Sequence, residues 1–316
     1  MDATWPDEVA AGLAWAQERI SEPGCRTAGT PVQVRAKAWS AVYMIPASDA
    51  RLWFKASGGG TRYEAALTRA LAQWAPGEVL APLAVHAGHG WQLLPDGGTP
   101  LRQQAADRDH RAWERFAARY AELQRAVSPH ASEMLTLGVP DHRPEMMPGH
   151  LAGLLQDPAV PISAQARGAL RALQGRYVSA CARLAETGPA PTIQHDDLHS
   201  GNILPAPSGD WFFDWGDASV AHPFTSLLIA LRAMAHTFGL PPGDPVLRRF
   251  RDAYLEPWGL GSDGPELAEL AAWTGMAGRA LAWRRALAAA GPADLAGYGD
   301  RISGWAAELL EPFPPC

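Results

Sequence analysis

A chain of 316 residues is long enough for one large or two moderate domains, each with a real apolar core. Apolar residues at 47% and charged residues at 19% are the balance of a globular protein, and a net charge of −6 argues against broad binding to nucleic acid or anionic membranes. No apolar run approaches the roughly 20 residues of a membrane span. The three cysteines, Cys25, Cys181 and Cys316, lie far apart and read as reduced thiols of a cytoplasmic protein. The acidic stretch Met1 to Glu8 has no apolar segment and does not read as a signal peptide.

Residues 5–20 read as a helix, with Pro6 in its first turn, Asp7 and Glu8 at its positive end, and Val9, Leu13 and Ile20 near one face. Strand patterns follow at 31–36, 41–46 and 51–56, and the turn residues Pro46 to Asp49 make a hairpin of the last two. The third, Arg51-Leu52-Trp53-Phe54-Lys55-Ala56, ends near a lysine that is either a solvated edge residue or a phosphate ligand. Glu64 decides between the two. After the link Gly58-Gly59-Gly60, residues 61–74 read as a helix with Glu64 in its first turn, within reach of Lys55. A strand lysine paired with a helix glutamate positions the α- and β-phosphates in kinases. The loop from Arg35 to Ser40 has no glycine to bring backbone N–H groups close to a phosphate, which leaves Ser40 as the side-chain donor expected there.

Residues 79–86 and 91–94 read as two further strands, turning at Gly88 to Gly90. The pattern then breaks at Leu93-Leu94-Pro95-Asp96-Gly97-Gly98, the expected hinge, whose backbone would hydrogen-bond a purine. Pro95 has no N–H, so Leu93, Leu94 and Asp96 are the candidates there. Beyond it the chain reads as helical. Trp113, Phe116, Tyr120, Leu123 and Val127 form one stripe, and Leu170, Leu173, Tyr177, Cys181 and Leu184 another. The proline-rich stretch 139–161 reads as irregular. Helices are expected near 224–238, 245–255, 265–290 and 294–310, the last striped by Leu295, Tyr298, Ile302, Trp305 and Leu309. These stripes are read as core.

Between those helical regions lies the stretch around which the chain is organised. Residues 202–204 and 211–213 read as short strands joined by the turn 205–210. Asp197 and Asn202 precede this hairpin, and Asp214 and Asp217 follow it. Carboxylates beside apolar strands are costly to bury without a charged partner, and Asn and Asp oxygens suit a hard cation such as Mg²⁺. Asp197, Asn202 five positions on, and Asp214 a dozen further match the base and two metal ligands of a kinase catalytic loop. His195 and His199, four apart, offer a competing zinc-hydrolase reading, but no third His or Cys stands near them.

The run His195-Asp196-Asp197-Leu198-His199-Ser200-Gly201-Asn202 resembles the catalytic loop of the aminoglycoside phosphotransferase and choline kinase-like family. Asp214-Trp215-Gly216 stands at that family's second metal-binding aspartate, and Arg62-Tyr63-Glu64-Ala65-Ala66-Leu67 resembles its glutamate helix. The resemblance implies an α+β, bilobal protein-kinase-like fold. Residues 1–96 would form an N-lobe with a small antiparallel β-sheet and one key helix, and residues 97–316 a large, mainly helical C-lobe. It implies ATP or GTP as donor and Mg²⁺ as metal, with Asp197 as base, Asn202 and Asp214 as metal ligands, and Lys55 and Glu64 at the phosphates. His195 is expected to brace the loop. Asp196 stands where many relatives carry glycine, and it and Asp217 are candidates for acceptor binding. The expected acceptor is a small hydroxylated molecule, an aminoglycoside-like or other amine-bearing antibiotic. A metabolic kinase of a sugar, amino alcohol or biosynthetic intermediate is the alternative, and a non-catalytic nucleotide-binding module is the alternative of another class.

Overall fold

The computed structural model describes residues 5–20, 27–48, 50–206 and 209–311, so Asp49, Cys25 and Cys316 lie outside the described residues. The first half is a sheet backed by a helix. Strands β1 (Val32–Lys37), β2 (Ser40–Pro46), β3 (Arg51–Ser57), β4 (Ala84–His86) and β5 (Trp91–Pro95) pair antiparallel in the order β1-β2-β3-β5-β4. One face of this sheet is covered by α1 (Trp5–Ile20), which buries Val9, Gly12, Ala16 and Ile20. Contact there is close enough that a Cβ on Gly12 would stand 2.5 Å from the Phe54 ring and 2.9 Å from that of Trp91, so only glycine fits. The opposite face looks into the cleft. Period-2 alternation separates the two, sending Phe54 into the α1 core and Lys55 to the cleft.

The strand expected over 79–86 is confined to Ala84–His86. Pro82 offers the ladder no N–H, and Val79 bridges Phe212 of the second lobe instead.

Helix α2 (Glu64–Trp74) belongs to both halves. Its N-terminus meets β3, while Leu67 and Leu71 enter the core of the helical half beside Trp113, Phe116 and Tyr120. That half comprises α3 (His110–Val127), α4 (Ala131–Thr136), α5 (Met147–Gln156), α6 (Ala164–Thr187), α7 (Leu227–Phe238), α8 (Pro245–Leu255), α9 (Gly264–Ala286), α10 (Pro292–Tyr298) and α11 (Asp300–Glu308). Two small sheets lie among these helices: β6 (Asp141–His142), β10 (Ser219–Ala221) and β7 (Thr192–Gln194) in that order, and the hairpin of β8 (Ile203–Ala206) with β9 (Gly209–Phe212). The overall class is thus α+β, with a small antiparallel sheet ahead of a mainly helical half. Among the described residues no helix is long and apolar enough to cross a membrane.

Two further expectations fail. The stretch 139–161 is not irregular throughout, because α5 occupies its centre and buries Met147, Leu151, Leu154 and Leu155. Pro148 sits in the first turn of α5, where the missing N–H leaves no bond unmade. The stripe over 294–310 is divided between α10 and α11 at Gly299, and Leu295 is left 48% exposed rather than in the core.

Candidate active site

Lys55 sits in the cleft floor, 7% exposed, between two carboxylates. Its Nζ lies 2.6 Å from Oε1 of Glu64 and 2.5 Å from Oδ1 of Asp214. Ser57 Oγ donates to the other Glu64 oxygen at 2.7 Å, and the α2 N-terminus favours an anion at that position. Burial disfavours the Lys55 ammonium, but Asp214 and Glu64 outweigh it and raise its pKa. Burial likewise opposes the Asp214 carboxylate, and the Lys55 and Arg35 cations hold it well below the usual carboxylate range. The Asp-Trp-Gly turn lets these groups converge, since a Cβ on Gly216 would stand 3.2 Å from Glu64 Oε2.

Next to this charge cluster opens a cleft of about 570 Å³ between the two halves. Val34, Val42, Leu80, Leu94 and Leu204 give it apolar walls of the kind a purine ring fits. Leu94 and Asp96 line it. Leu93 does not. Strand alternation turns its side chain into the α1 core, 2% exposed, and its carbonyl accepts from the Leu83 N–H at 2.8 Å. The Asp96 carboxylate accepts from Arg51 Nε at 2.9 Å and Gly98 N–H at 3.2 Å, so it holds the hinge in shape. Ser40 is buried and accepts from Arg35 Nη2 at 3.3 Å; it borders a smaller cavity, about 70 Å³, shared by Lys55, Asp197, Asp214 and Asp217.

The central loop is tied down from both sides. The His195 N–H donates to the Tyr120 hydroxyl at 2.9 Å, and ring Nε2 lies 2.9 Å from the Phe213 carbonyl, which makes Nε2 the protonated nitrogen. Burial lowers the pKa of His195. Asn202 Nδ2 donates to the Asp197 carbonyl at 2.9 Å and to its Oδ2 at 3.2 Å. His199 Nδ1 accepts from Gly201 N–H, which leaves its Nε2 proton facing Asp197 Oδ2 at 3.4 Å. Burial opposes the Asp197 carboxylate, yet His199 and Arg279 hold its pKa below the ordinary value. The two histidines therefore brace the loop and do not share a helix face as a zinc pair. Asp196 and Asp214 are the two non-glycine residues with positive φ among the described residues, at 63° and 67°. Left-handed backbone is disfavoured by about 1–2 kcal/mol for most side chains, and aspartate is among those that tolerate it.

Beyond Asp197 the structure gathers residues that the sequence did not single out. Arg279 of α9, 4% exposed, bonds Asp217 Oδ2 at 3.0 Å, and Arg285 Nη2 donates to the Asp217 carbonyl at 3.3 Å. Arg279 also lies over the Trp305 ring at 5.8 Å. Asp196 is 4% exposed; burial, with Asp217 adding to it and Arg279 opposing, raises its pKa to about 6. One trace of Arg279 was readable. It is the single charge in an otherwise apolar stretch, Ala271-Ala272-Trp273-Thr274-Gly275-Met276-Ala277-Gly278-Arg279-Ala280, and a lone charge on a buried helix face needs a partner. Arg35, at 3.5 Å from Asp214 Oδ2, lies on an exposed edge strand and carried no such signal.

With this geometry in place, comparison with known proteins is decisive at the level of family. The model of the phosphotransferase enzyme family, APH, matches residues 50–273. The chain belongs to that family. It is accordingly a phosphotransferase acting on hydroxyl groups, a small-molecule kinase. No curated protein matches it in sequence. Among solved structures, a choline/ethanolamine kinase family protein from Mesorhizobium loti is 17% identical, covers 95% of each chain and superposes with a TM-score of 0.60. An APH(2") enzyme in complex with GDP and kanamycin is 16% identical over 96% of each chain, with a TM-score of 0.56. An amicoumacin kinase in complex with AMP-PNP, Ca²⁺ and Ami is 13% identical, covering 97% of this chain and 96% of its own, with a TM-score of 0.57. At these identities the likeness speaks for the protein-kinase-like fold.

A phosphotransferase of this family implies a nucleotide and a divalent cation, and the residues present fit both. Asp214 is held ionised at the cleft floor, and Asn202 commits its NH₂ to Asp197, which leaves its carbonyl oxygen for the cleft it lines. One carboxylate and one amide oxygen are a sparse protein set, suited to a hard cation that keeps water and phosphate oxygens as its other ligands.

Proposed function

We propose that this phosphotransferase moves the γ-phosphate of ATP or GTP, with Mg²⁺, to a hydroxyl of a small acceptor in the cytoplasm. The observation that carries the reading is Lys55, bonded at once to Glu64 and Asp214 beneath the interlobe cleft, with Asp197 oriented a few residues from Asn202. Residues 1–96 would serve as the nucleotide lobe and residues 97–316 as the lobe holding the catalytic loop and acceptor. Leu94 and the backbone at Asp96 would receive the purine, and Lys55, positioned by Glu64, the α- and β-phosphates. Asn202 and Asp214 would hold Mg²⁺, which when bound neutralises charge on the phosphate oxygens. Asp197 would orient the acceptor hydroxyl and take its proton as the oxygen attacks phosphorus. His195 and Asn202 keep that loop in register.

For the acceptor, we favour an amine-bearing molecule of the aminoglycoside-like antibiotic class. What supports it is the pair of carboxylates near the Asp197 base, Asp217 on the same small cavity and the adjoining Asp196, which add a field that draws a cation. A neutral metabolic acceptor, such as a sugar, has its own support: Arg279 pairs with Asp217, and burial pushes Asp196 toward its neutral form. The complete set Lys55, Glu64, Asp197, Asn202 and Asp214 argues against a non-catalytic nucleotide-binding module. The test is a transfer screen with labelled ATP and GTP against aminoglycosides, other antibiotics, sugars and amino alcohols. Phosphate should appear on a hydroxyl of at least one acceptor and disappear with chelator. Nucleotide binding without transfer to any acceptor would return the binding-module reading.

A further inference from the structure

We propose that Arg35 is a catalytic residue of the phosphoryl transfer: its guanidinium grips the γ-phosphate in place of the backbone N–H groups a glycine-rich loop would supply. This rests on the function proposed above. The argument begins with strand register. Along β1, Gln33 pairs with Tyr43 but Arg35 pairs with Val42, so Val34 is an extra residue and the strand bulges. In a regular strand Val34 and Arg35 would point to opposite faces. Here both line the nucleotide cleft. Val42 in turn pairs with Lys55, and Lys55 with Gln92. Residues directly opposite one another share a sheet face. Regular pairing from the turn, Lys37 with Ser40, Ala36 with Ala41 and Arg35 with Val42, sets Arg35 in the row that carries Lys55, and the bulge brings Val34 to the same cleft.

Charge geometry gives the same result. Lys55 lies against one oxygen of Asp214, at 2.5 Å, and Arg35 Nη2 against the other, at 3.5 Å. Two cations thus converge on one anion from a single row of the sheet. Arg35 borders both the nucleotide cleft and the small cavity that contains Asp197. A phosphoryl group passing from nucleotide to acceptor must cross that boundary. The side chain is 43% exposed, so it can leave Asp214 for a phosphate at little desolvation cost. A planar guanidinium presents five donors in a fork that matches phosphate oxygens.

In the transfer, a lone pair of the acceptor oxygen forms the new bond to phosphorus. The bond from phosphorus to the β,γ-bridging oxygen breaks with its electron pair, which leaves on the nucleoside diphosphate. The hydroxyl proton goes to the Asp197 carboxylate. Charge on the three equatorial γ-oxygens is what Arg35 meets, so its contribution falls on the triphosphate and the transition state, not on the diphosphate.

The experiment compares wild type with Arg35→Ala and Arg35→Lys by calorimetric titration with AMP-PNP and with ADP, each with Mg²⁺, alongside the slow hydrolysis of ATP without acceptor. Removing one charge-stabilising donor typically lowers a rate by about 10²–10³-fold. Arg35→Ala should lose hydrolysis by that factor and bind AMP-PNP roughly tenfold or more weakly. ADP affinity and Tm should stay at the wild-type level, and Arg35→Lys should recover part of the rate. Equal losses for ADP and AMP-PNP, or unaltered hydrolysis, would overturn the Arg35 assignment alone. A wild-type protein that binds neither nucleotide would overturn both this assignment and the function beneath it.

Discussion

On the nucleotide side of the cleft, Asp214 faces Lys55 and Arg35 and is held ionised, while on the proposed acceptor side Asp196 is enclosed and its pKa rises to about 6. Both aspartates stand in one module, both have positive φ, and they are 18 positions apart. Burial acts on both in the same direction. What separates them is the cations each one meets. Asp214 has two in direct contact within 3.5 Å, whereas Asp196 has Arg279 and Arg285 nearby, Arg279 being bonded to Asp217, with the Asp217 and Asp197 carboxylates acting against them. Residue type therefore does not settle the charge of a site; the partner count of each carboxylate does. Asp214 is held ionised by its partners, whereas burial pushes Asp196 toward its neutral form.

The largest effects should come from the groups at the point of transfer. Asp197→Asn should lower turnover by about 10²–10⁴-fold, the usual weight of a general base, with nucleotide affinity near wild type. Wild-type turnover in that variant would remove Asp197 from the role. Asp214→Ala should abolish the Mg²⁺ dependence of nucleotide binding, read by calorimetry with and without the metal, and an unaltered metal response would end the ligand assignment. Lys55→Ala should weaken use of ATP more than acceptor binding, and Glu64→Ala should do the same in milder form. Because both act through one ion pair, the double variant should be no worse than Lys55→Ala. Strictly additive losses would mean that the two do not work together.

The two sides also differ in how far they could be read from the sequence. Asp197, Asn202 and Asp214 are separated by a short loop and a hairpin, so local geometry carries their spacing into space. Lys55 and Glu64 are nine apart across one turn, and the structure joins them at 2.6 Å. The strands of the first half were legible because they alternate, and α3 and α6 because their stripes repeat at three and four. What local pattern cannot carry was missed. Arg279 reaches Asp217 from 62 positions away. Arg35 is aimed by its pairing register with β2, which leaves no mark in composition. Helix α5 was hidden by Pro148, Gly149 and Gly153, residues that read as loop until burial of its leucines outweighs their low propensity. Leu93 was named for its backbone at the hinge, but it lies inside β5 with β3 and β4 paired on either side of it, which a sequence pattern near a break does not show.

On the acceptor side, the sharpest test of neutralisation is to remove the cation. Removing one partner of a buried ion pair costs about 3–5 kcal/mol, because a charge is left without compensation. Asp217 keeps about 29% of its side chain in contact with solvent, so Arg279→Met belongs at the lower end of that range. Thermal unfolding should show the loss, and the double variant Arg279→Met with Asp217→Leu should recover most of it. Equal stability of wild type and Arg279→Met would mean that solvent, not Arg279, satisfies Asp217, and the acceptor side would then be as charged as the nucleotide side.

The smallest effect is the most specific, because it carries a pH signature. A folded pKa of about 6 for Asp196, against an ordinary 3.8, means that the folded state holds this proton more tightly than the unfolded chain. Below pH 4 both states are protonated, and the group contributes nothing. Between pH 4 and 6 the unfolded chain ionises first, so stability falls as pH rises. Above pH 6 the folded carboxylate ionises as well, and the full penalty persists, about 3 kcal/mol at 1.36 kcal/mol per pKa unit. Asp196→Asn keeps the shape, tolerates φ near 63° and cannot ionise. It should therefore be more stable than wild type at pH 8, and most of that gain should vanish by pH 4.5. Denaturant midpoints at the two pH values measure it directly. If the variant is instead less stable at pH 8, Arg279 stabilises the ionised Asp196 carboxylate by more than burial costs it, and the contrast with Asp214 collapses.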